Sequence, residues 1–196
     1  MFIFQHNLIY VIPCIIIAFT VHEYFHAYVS YRLGDNQAKN DGRLTLNPIK
    51  HIDVMGFVFL LALGFGWAKP VMVNPNAYKN PRKGTMMVAL AGPLSNLVIA
   101  IVAIILNIIF KQYEVSMFFF YLWMINLGLC IFNLIPIPPL DGSKVIGYFM
   151  SANSYQDFLK NQWIGFVLLI VMIYMNIFSY IMNPIFSFVV RLIYGV

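Results

Sequence analysis

The chain has 196 residues, of which 61% are hydrophobic and only 10% are charged, and its mean hydropathy is +0.80. A soluble domain of this size could not keep so large an apolar fraction out of water, so the composition indicates an integral membrane protein. The net charge of +5 does not indicate nucleic-acid binding, because the Lys and Arg residues stand in short loops beside hydrophobic segments, where they act as topology signals.

The first apolar segment, residues 8–31, is long enough to cross a bilayer and contains the most informative motif of the chain. His22, Glu23 and His26 form an H-E-x-x-H pattern inside it. On a helix, residues four apart share one face, so His22 and His26 can reach one metal ion. The carboxylate of Glu23 lies beside that pair and can take a proton from water without occupying a coordination position. Three ionisable groups at membrane depth are costly, which favours a metal site over packing.

The other two histidines, His6 and His51, are predicted to be packing residues. The loop 32–53 is predicted to be cytoplasmic by the positive-inside rule, with the amino terminus outside, because it contains four basic residues: Arg32, Lys39, Arg43 and Lys50. An Asp-Gly pair followed by alternating polar and apolar residues predicts a short interfacial β-hairpin over residues 43–46.

The next apolar segment, residues 54–66, is too short to span a bilayer comfortably and contains three glycines. The segment that follows it, residues 67–85, is again basic. If both basic loops are cytoplasmic, residues 54–66 must enter the membrane and return, which requires cover by protein or a wet cavity. The alternative is a short tilted span with the second basic loop outside.

The rest of the chain predicts further membrane helices. The apolar segments lie at residues 86–110, 115–135 and 163–196, the last broken near Asn183-Pro184, with a polar loop at 151–162. The predicted fold is an all-α polytopic membrane protein of about five or six hydrophobic helices, with a re-entrant segment and short extended segments. We expect a single membrane-embedded domain over residues 1–196, with a catalytic core at about 8–145 and C-terminal hydrophobic helices at about 163–196.

A catalytic zinc site needs three protein ligands, and the two histidines supply only two. Asp141 is the predicted third ligand, because it follows a proline-rich segment at the end of a predicted span. The alternative is that Asp141 is a helix N-cap or a turn residue. The remaining aspartates are expected to be solvated loop residues: Asp35, Asp41, Asp53 and Asp157.

Depth in the membrane agrees with this choice. At 1.5 Å per residue, His26 and His22 lie about 9 Å and about 15 Å up the helix from Arg32. Asp141 can return to that depth if the connection 111–114 lies outside. Two asparagines in predicted spans, Asn96 and Asn133, are either interhelical hydrogen-bond partners or donors to a substrate.

The order and spacing of the motifs resemble the site-2 protease family of intramembrane zinc metalloproteases, in its short form without a PDZ or nucleotide-binding module. The matching stretches are residues 22–26 (HEYFH), 41–48 (DGRLTLNP), 66–71 (GWAKPV), 91–96 (AGPLSN) and 133–142 (NLIPIPPLDG). Two positions depart from the family's pattern, in which proline usually stands at Met72 and commonly at Val54. Neither departure touches the residues that carry the chemistry.

The resemblance implies one Zn²⁺ per chain, held by His22, His26 and Asp141, with Glu23 as the general base and Asn133 near the substrate. It implies hydrolysis of a peptide bond in or near a transmembrane segment of a membrane-protein substrate. We therefore expect a protein of the plasma membrane, with the lipid bilayer and that substrate as partners and an active site open to the cytoplasm. The oligomeric state stays open.

The alternative from another functional class is a membrane metal transporter or metal-binding sensor that uses the same His and Asp cluster. A transporter should show further ionisable residues along a path through the other spans. The predicted spans 86–110 and 115–135 contain none. An inactive scaffold is disfavoured, because Glu23 has no purpose in a purely structural zinc site.

Overall fold

The computed structural model describes residues 7–63 and 66–195, and its regular elements are helices. In chain order they are α1 (Leu8–Arg32), α2 (Gln37–Asn40), α3 (Val54–Leu63), α4 (Pro81–Ile109), α5 (Ser116–Leu134), α6 (Asp141–Gly147), α7 (Ala152–Lys160), α8 (Gln162–Tyr174) and α9 (Ile177–Tyr194). Short 3₁₀ turns occupy Pro48–Lys50 and Pro75–Ala77. His6 lies outside the described residues.

Four of these helices, α1, α4, α5 and α9, are long and apolar enough to cross a membrane. Helices α7 and α8 meet at a bend of 57° and make a fifth crossing if they are counted together. The protein is therefore an integral multi-pass membrane protein with an all-α fold, as predicted. The predicted hairpin is wrong, because the described residues 43–46 form no strand pair and the chain turns instead into the 3₁₀ helix Pro48–Lys50.

Helices α1, α4 and α5 pack together as the centre of the molecule. The buried face of α4 consists mainly of small residues, among them Gly84, Ala89, Gly92, Ala100 and Ala103. Its outward face exposes large aliphatic side chains, including Val98, Ile101, Val102, Ile105 and Ile109. Small residues inside and large apolar residues outside are the arrangement expected in lipid, where close backbone contact drives helix association.

The two ends of the segment that contains α3 lie side by side. Ile52 and Ala68, which flank it, form an antiparallel bridge, and the Lys69 N–H donates to the His51 carbonyl at 2.8 Å. A Cβ at Gly56 would lie 2.1 Å from the Trp67 carbonyl oxygen, so the returning chain needs glycine there. Paired ends agree with the predicted re-entrant segment rather than with a tilted span. Residues 64 and 65 lie outside the described residues.

The C-terminal third differs from the prediction in two places. Residues 151–162, predicted to be a loop, form mainly the helix α7. Ser151 is its N-cap, and the Ser151 hydroxyl accepts from the Ser154 N–H. The break in the last hydrophobic stretch lies at Asn176, which adopts a left-handed φ of 56°, and Pro184 lies inside α9. Asn tolerates the left-handed conformation at a helix junction, and membrane helices tolerate an internal proline because neighbours satisfy the freed backbone group.

Candidate metal centre

The candidate metal centre lies between α1 and α6 and is in contact with α4. His22 and His26 project from α1 one turn apart, and Asp141 is the first residue of α6. All three side chains are buried. The Nε2 atoms of the two histidines lie 3.0 Å apart. Oδ2 of Asp141 lies 3.2 Å from Nε2 of His22 and 3.0 Å from Nε2 of His26. The fold thus brings together three residues that the sequence predicted as ligands and that come from two distant parts of the chain.

Hydrogen bonds on the far side of each ring determine which nitrogen faces the centre. Nδ1 of His22 lies 2.6 Å from Oδ1 of Asn96, and Nδ1 of His26 lies 2.7 Å from the Val88 carbonyl oxygen. Because both oxygens can only accept, both Nδ1 atoms carry the proton and donate. Each Nε2 atom therefore directs a lone pair into the space between the three side chains, and Oδ2 of Asp141 directs a lone pair into the same space. Three converging lone pairs repel one another unless a cation lies between them.

The donor set and its spacing fit a zinc ion. Imidazole nitrogen and carboxylate oxygen are zinc ligands, and tetrahedral bonds of about 2.0–2.1 Å place ligand atoms about 3.4 Å apart. The three atoms of this centre all lie within 4.8 Å of one another. Gly92 of α4 provides the room, since a Cβ there would lie 2.4 Å from Nε2 of His26 and 2.6 Å from Nε2 of His22.

Asp141 does not cap its helix. The N-cap position of α6 belongs to Leu140, and no side-chain hydrogen bond caps that end. The carboxylate of Asp141 turns instead toward the histidines, and its second oxygen, Oδ1, accepts from Nζ of Lys144 at 3.1 Å. The capping alternative is therefore wrong, and the ammonium group of Lys144 partly balances the buried negative charge.

Glu23 lies next to the histidine pair and is itself buried. Its Oε2 atom accepts from the backbone N–H of Val71 at 2.9 Å. Among the described residues, no group bonds to Oε1. One carboxylate oxygen is thus held by the protein, while the other has no hydrogen-bond partner among the described residues.

The two asparagines have different surroundings. Asn96 is fully buried, and its Nδ2 donates to the Ala18 carbonyl at 3.1 Å and to Oδ1 of Asn126 at 2.8 Å. These bonds match the interhelical role that the sequence left open for Asn96. Asn133 is half-buried, and its Nδ2 donates to the Leu129 carbonyl of its own helix at 3.0 Å. A substrate contact by Asn133 stays a prediction.

Four residues that contribute to the centre are not among those predicted from the sequence: Val71, Val88, Gly92 and Lys144. Val71 and Val88 act through backbone groups, which every residue has, so no side-chain pattern marks them. Gly92 is visible in the sequence only as a small residue suited to helix contact. Lys144 could be found, because it stands three residues after Asp141, the spacing of neighbours on a helix.

Comparison with known proteins agrees with this geometry. The profile of peptidase family M50 matches residues 108–177, which include Asp141. "Putative zinc metalloprotease YwhC" of Bacillus subtilis is 39% identical over 185 residues, which cover 89% of this chain and 84% of that protein. The chain belongs to peptidase family M50. This M50 protein is therefore a zinc-dependent protease, and the predicted site-2 protease resemblance is confirmed.

Two further relatives are also named as putative zinc metalloproteases. "Putative zinc metalloprotease MJ0611" of Methanocaldococcus jannaschii is 34% identical over 146 residues, 71% of each chain. "Putative zinc metalloprotease Rip2" of Mycolicibacterium smegmatis is 29% identical over 161 residues, 78% of this chain and 62% of that protein. No solved structure matches the chain. Membership of M50 decides between the predicted alternatives in favour of the protease over the metal transporter.

Proposed function

We propose that this M50 protease hydrolyses a peptide bond in or near the transmembrane segment of a membrane-protein substrate. The observation that carries the proposal is the burial of the three lone-pair donors of His22, His26 and Asp141 within a bundle of membrane-crossing helices. A centre at that depth is best reached by a substrate that arrives through the bilayer. We further propose that residues 1–196 form one domain, with its catalytic core at about 8–145.

We propose that His22, His26 and Asp141 hold the zinc ion and that Glu23 is the general base. When bound, the ion would polarise the scissile carbonyl and make water more acidic. Oε1 of Glu23 takes a proton from the attacking water, and the protonated carboxyl then gives it to the leaving amine. Asn96 and Val88 keep the two imidazoles in the tautomer that this arrangement needs.

Hydrolysis consumes water, so a polar route must reach the buried centre. A cavity of about 260 Å³ lies between α4, α6 and α7, and Lys144, which contacts Asp141, forms part of its wall. Arg82, at the start of α4, lines the same cavity. Because that end of α4 follows the second basic loop, we propose that the centre opens toward the cytoplasm, in a protein of the plasma membrane.

A transmembrane helix hides its carbonyl groups in internal hydrogen bonds, so a substrate has to unwind before it can be cut. A suitable probe is a synthetic peptide of about 20 apolar residues with a central Gly-Ser-Gly break. A matched peptide with Leu-Ala-Leu in place of the break provides the control. We expect faster cleavage of the interrupted peptide, at or beside the break.

Replacing Glu23 tests the assignment of the base. In purified Glu23→Gln protein we expect the zinc content of the wild type and no cleavage of the interrupted peptide, because the amide cannot accept the proton. His22→Ala should lose both zinc and cleavage. Normal turnover by Glu23→Gln would reject the proposed base, whereas loss of zinc from that variant would make Glu23 a ligand instead.

A further inference from the structure

The backbone between the re-entrant segment and α4 is held against Glu23. The Val71 N–H donates to Oε2 of Glu23 at 2.9 Å, so a main-chain group binds the proposed base directly. Three residues later, the Asn74 N–H donates to Oδ2 of Asp35 at 2.7 Å. Asp35 follows the end of α1, the helix that also contains Glu23. The downstream end of this short segment is thereby tied to α1.

The upstream end of the segment is held by a buried cation. Arg43 is only 7% exposed, and its guanidinium donates through Nη2 to the carbonyl of Lys69, two residues before Val71. The Lys69 N–H donates in turn to the His51 carbonyl at 2.8 Å. Both polar groups of the Lys69 backbone are thus used to position the chain that presents the Val71 amide.

Arg43 is also close enough to Glu23 for their charges to interact. Burial lowers the pKa of Arg43, and the carboxylates of Glu23 and Asp41 act in the opposite direction. Nε of Arg43 is buried without a partner among the described residues. A buried guanidinium with an unsatisfied donor is unfavourable for folding alone. Its position is better explained by what it does for Glu23 through its bond to the Lys69 carbonyl.

We propose that Arg43 and the backbone amide of Val71 are positioning groups for Glu23. Arg43 holds the Lys69 carbonyl, which places the Val71 N–H on Oε2 and leaves Oε1 as the oxygen that exchanges a proton with water. The proposal rests on the proposed role of Glu23 as general base. The bonds of both groups go to protein atoms, Oε2 of Glu23 and the Lys69 carbonyl oxygen, so both should act on the chemical step and not on substrate binding.

A pair of proline substitutions isolates the amide. Val71→Pro removes the N–H that binds Glu23, whereas Met72→Pro removes an N–H for which the described residues offer no acceptor. Met72 is 62% exposed, and the family's pattern usually has proline at that position. We expect Val71→Pro to lower kcat about 10- to 100-fold with KM and zinc content unchanged, the range seen for lost supporting contacts. Met72→Pro should stay within about threefold of the wild type.

A second pair of substitutions tests the cation. Arg43→Met removes the buried charge and its bond to Lys69, while Lys50→Met removes an exposed charge from the same loop. Arg43→Met should reproduce the loss of kcat in Val71→Pro, and Lys50→Met should not. Because both groups act through one carboxylate, the double variant Arg43→Met with Val71→Pro should be no slower than the slower single variant.

The outcomes separate the two proposals. Normal kcat in both Val71→Pro and Arg43→Met, with Glu23→Gln inactive, would overturn the positioning role alone. Multiplied losses in the double variant, or loss of zinc from both single variants, would also overturn it, because the two groups would then act independently or only on the fold. Normal cleavage by Glu23→Gln would instead remove the proposed base itself.

Discussion

Nδ1 of His22 lies 2.6 Å from Oδ1 of Asn96, and the two buried side chains join α1 to α4 at the centre. The amide of Asn96 cannot turn over, because its Nδ2 donates to Ala18 and Asn126. Asn96 therefore presents a fixed acceptor to the ring of His22. The result is an imidazole whose Nε2 lone pair is oriented before any metal arrives.

Replacing Asn96 should therefore weaken zinc binding. Asn96→Leu keeps the side-chain size but removes the acceptor for Nδ1, so the ring can adopt the other tautomer. We expect about a 10- to 100-fold loss of zinc affinity, the usual effect of removing the hydrogen-bond partner of a metal ligand, measured by competition with a chelator.

Asn107 provides a matched control for Asn96. It is also fully buried on α4, about 16 Å along the helix from Asn96, where it bonds the Ser116 carbonyl and the Tyr194 hydroxyl. Asn107→Leu should lower stability and leave zinc affinity unchanged. Equal zinc affinity in the two variants would contradict the role given to Asn96.

A methyl group at Gly92 should abolish the metal centre. In Gly92→Ala the new Cβ would lie 2.4 Å from Nε2 of His26, so the imidazoles must move apart. We expect zinc affinity to fall by more than about 100-fold, a larger loss than that expected for removing the hydrogen-bond partner of a metal ligand. Gly128→Ala is the control, since the nearest contact of its Cβ among the described residues would be Phe186 at an ordinary 3.6 Å. Zinc retained at wild-type affinity by Gly92→Ala would show that the ligands lie elsewhere.

The two basic loops should lie on the same side of the membrane. Single cysteines replacing Lys39 and Lys79 should react with a membrane-impermeant thiol reagent from one side, and a cysteine replacing Lys111 from the other. The native Cys14 and Cys130 are buried and can be changed to Ala for this assay. Labelling of the Lys39 and Lys79 positions from opposite sides would restore the alternative in which residues 54–66 cross the membrane.

Stability in acid should depend on Asp35, which is buried and not solvated as the sequence predicted. Burial raises the pKa of this carboxyl, but hydrogen bonds from Asn74, Gln37 and Ser30 outweigh it and hold the pKa below the ordinary value of 3.8. A lowered pKa in the folded state stabilises the fold above the unfolded value and loses that contribution as pH falls through the folded value. We expect the melting temperature of detergent-solubilised protein to fall below about pH 4.

Substitutions separate Asp35 from general acid denaturation. Asp35→Asn should lower stability near neutral pH by about 2 kcal/mol, since it removes charge-assisted bonds, and should flatten the melting curve below about pH 4. Asp157→Asn changes an exposed aspartate and should keep the wild-type slope. A wild-type slope in Asp35→Asn would exclude this carboxyl as the source of the acid sensitivity.

Local patterns in the sequence determined the membrane character, the all-α fold and the pairing of His22 with His26. These features depend on composition and on a spacing of four residues, both of which act within a single helix. The basic loops likewise predicted the return of residues 54–66. Local patterns gave the wrong prediction for residues 43–46, which form no hairpin, and for the break in the last hydrophobic stretch, which lies at Asn176 and not near Pro184. Turn residues and prolines permit several conformations, and tertiary packing decides among them.

Only the tertiary structure decided how the centre is completed. Asp141 is separated from His22 by 119 positions, and nothing in its own neighbourhood shows that its carboxylate turns away from its helix end toward α1. The acceptor for His26 and the donor to Glu23 are backbone groups of Val88 and Val71. Every residue has a carbonyl and nearly every residue an N–H, so the ones that serve the site are chosen by where the packed helices bring them.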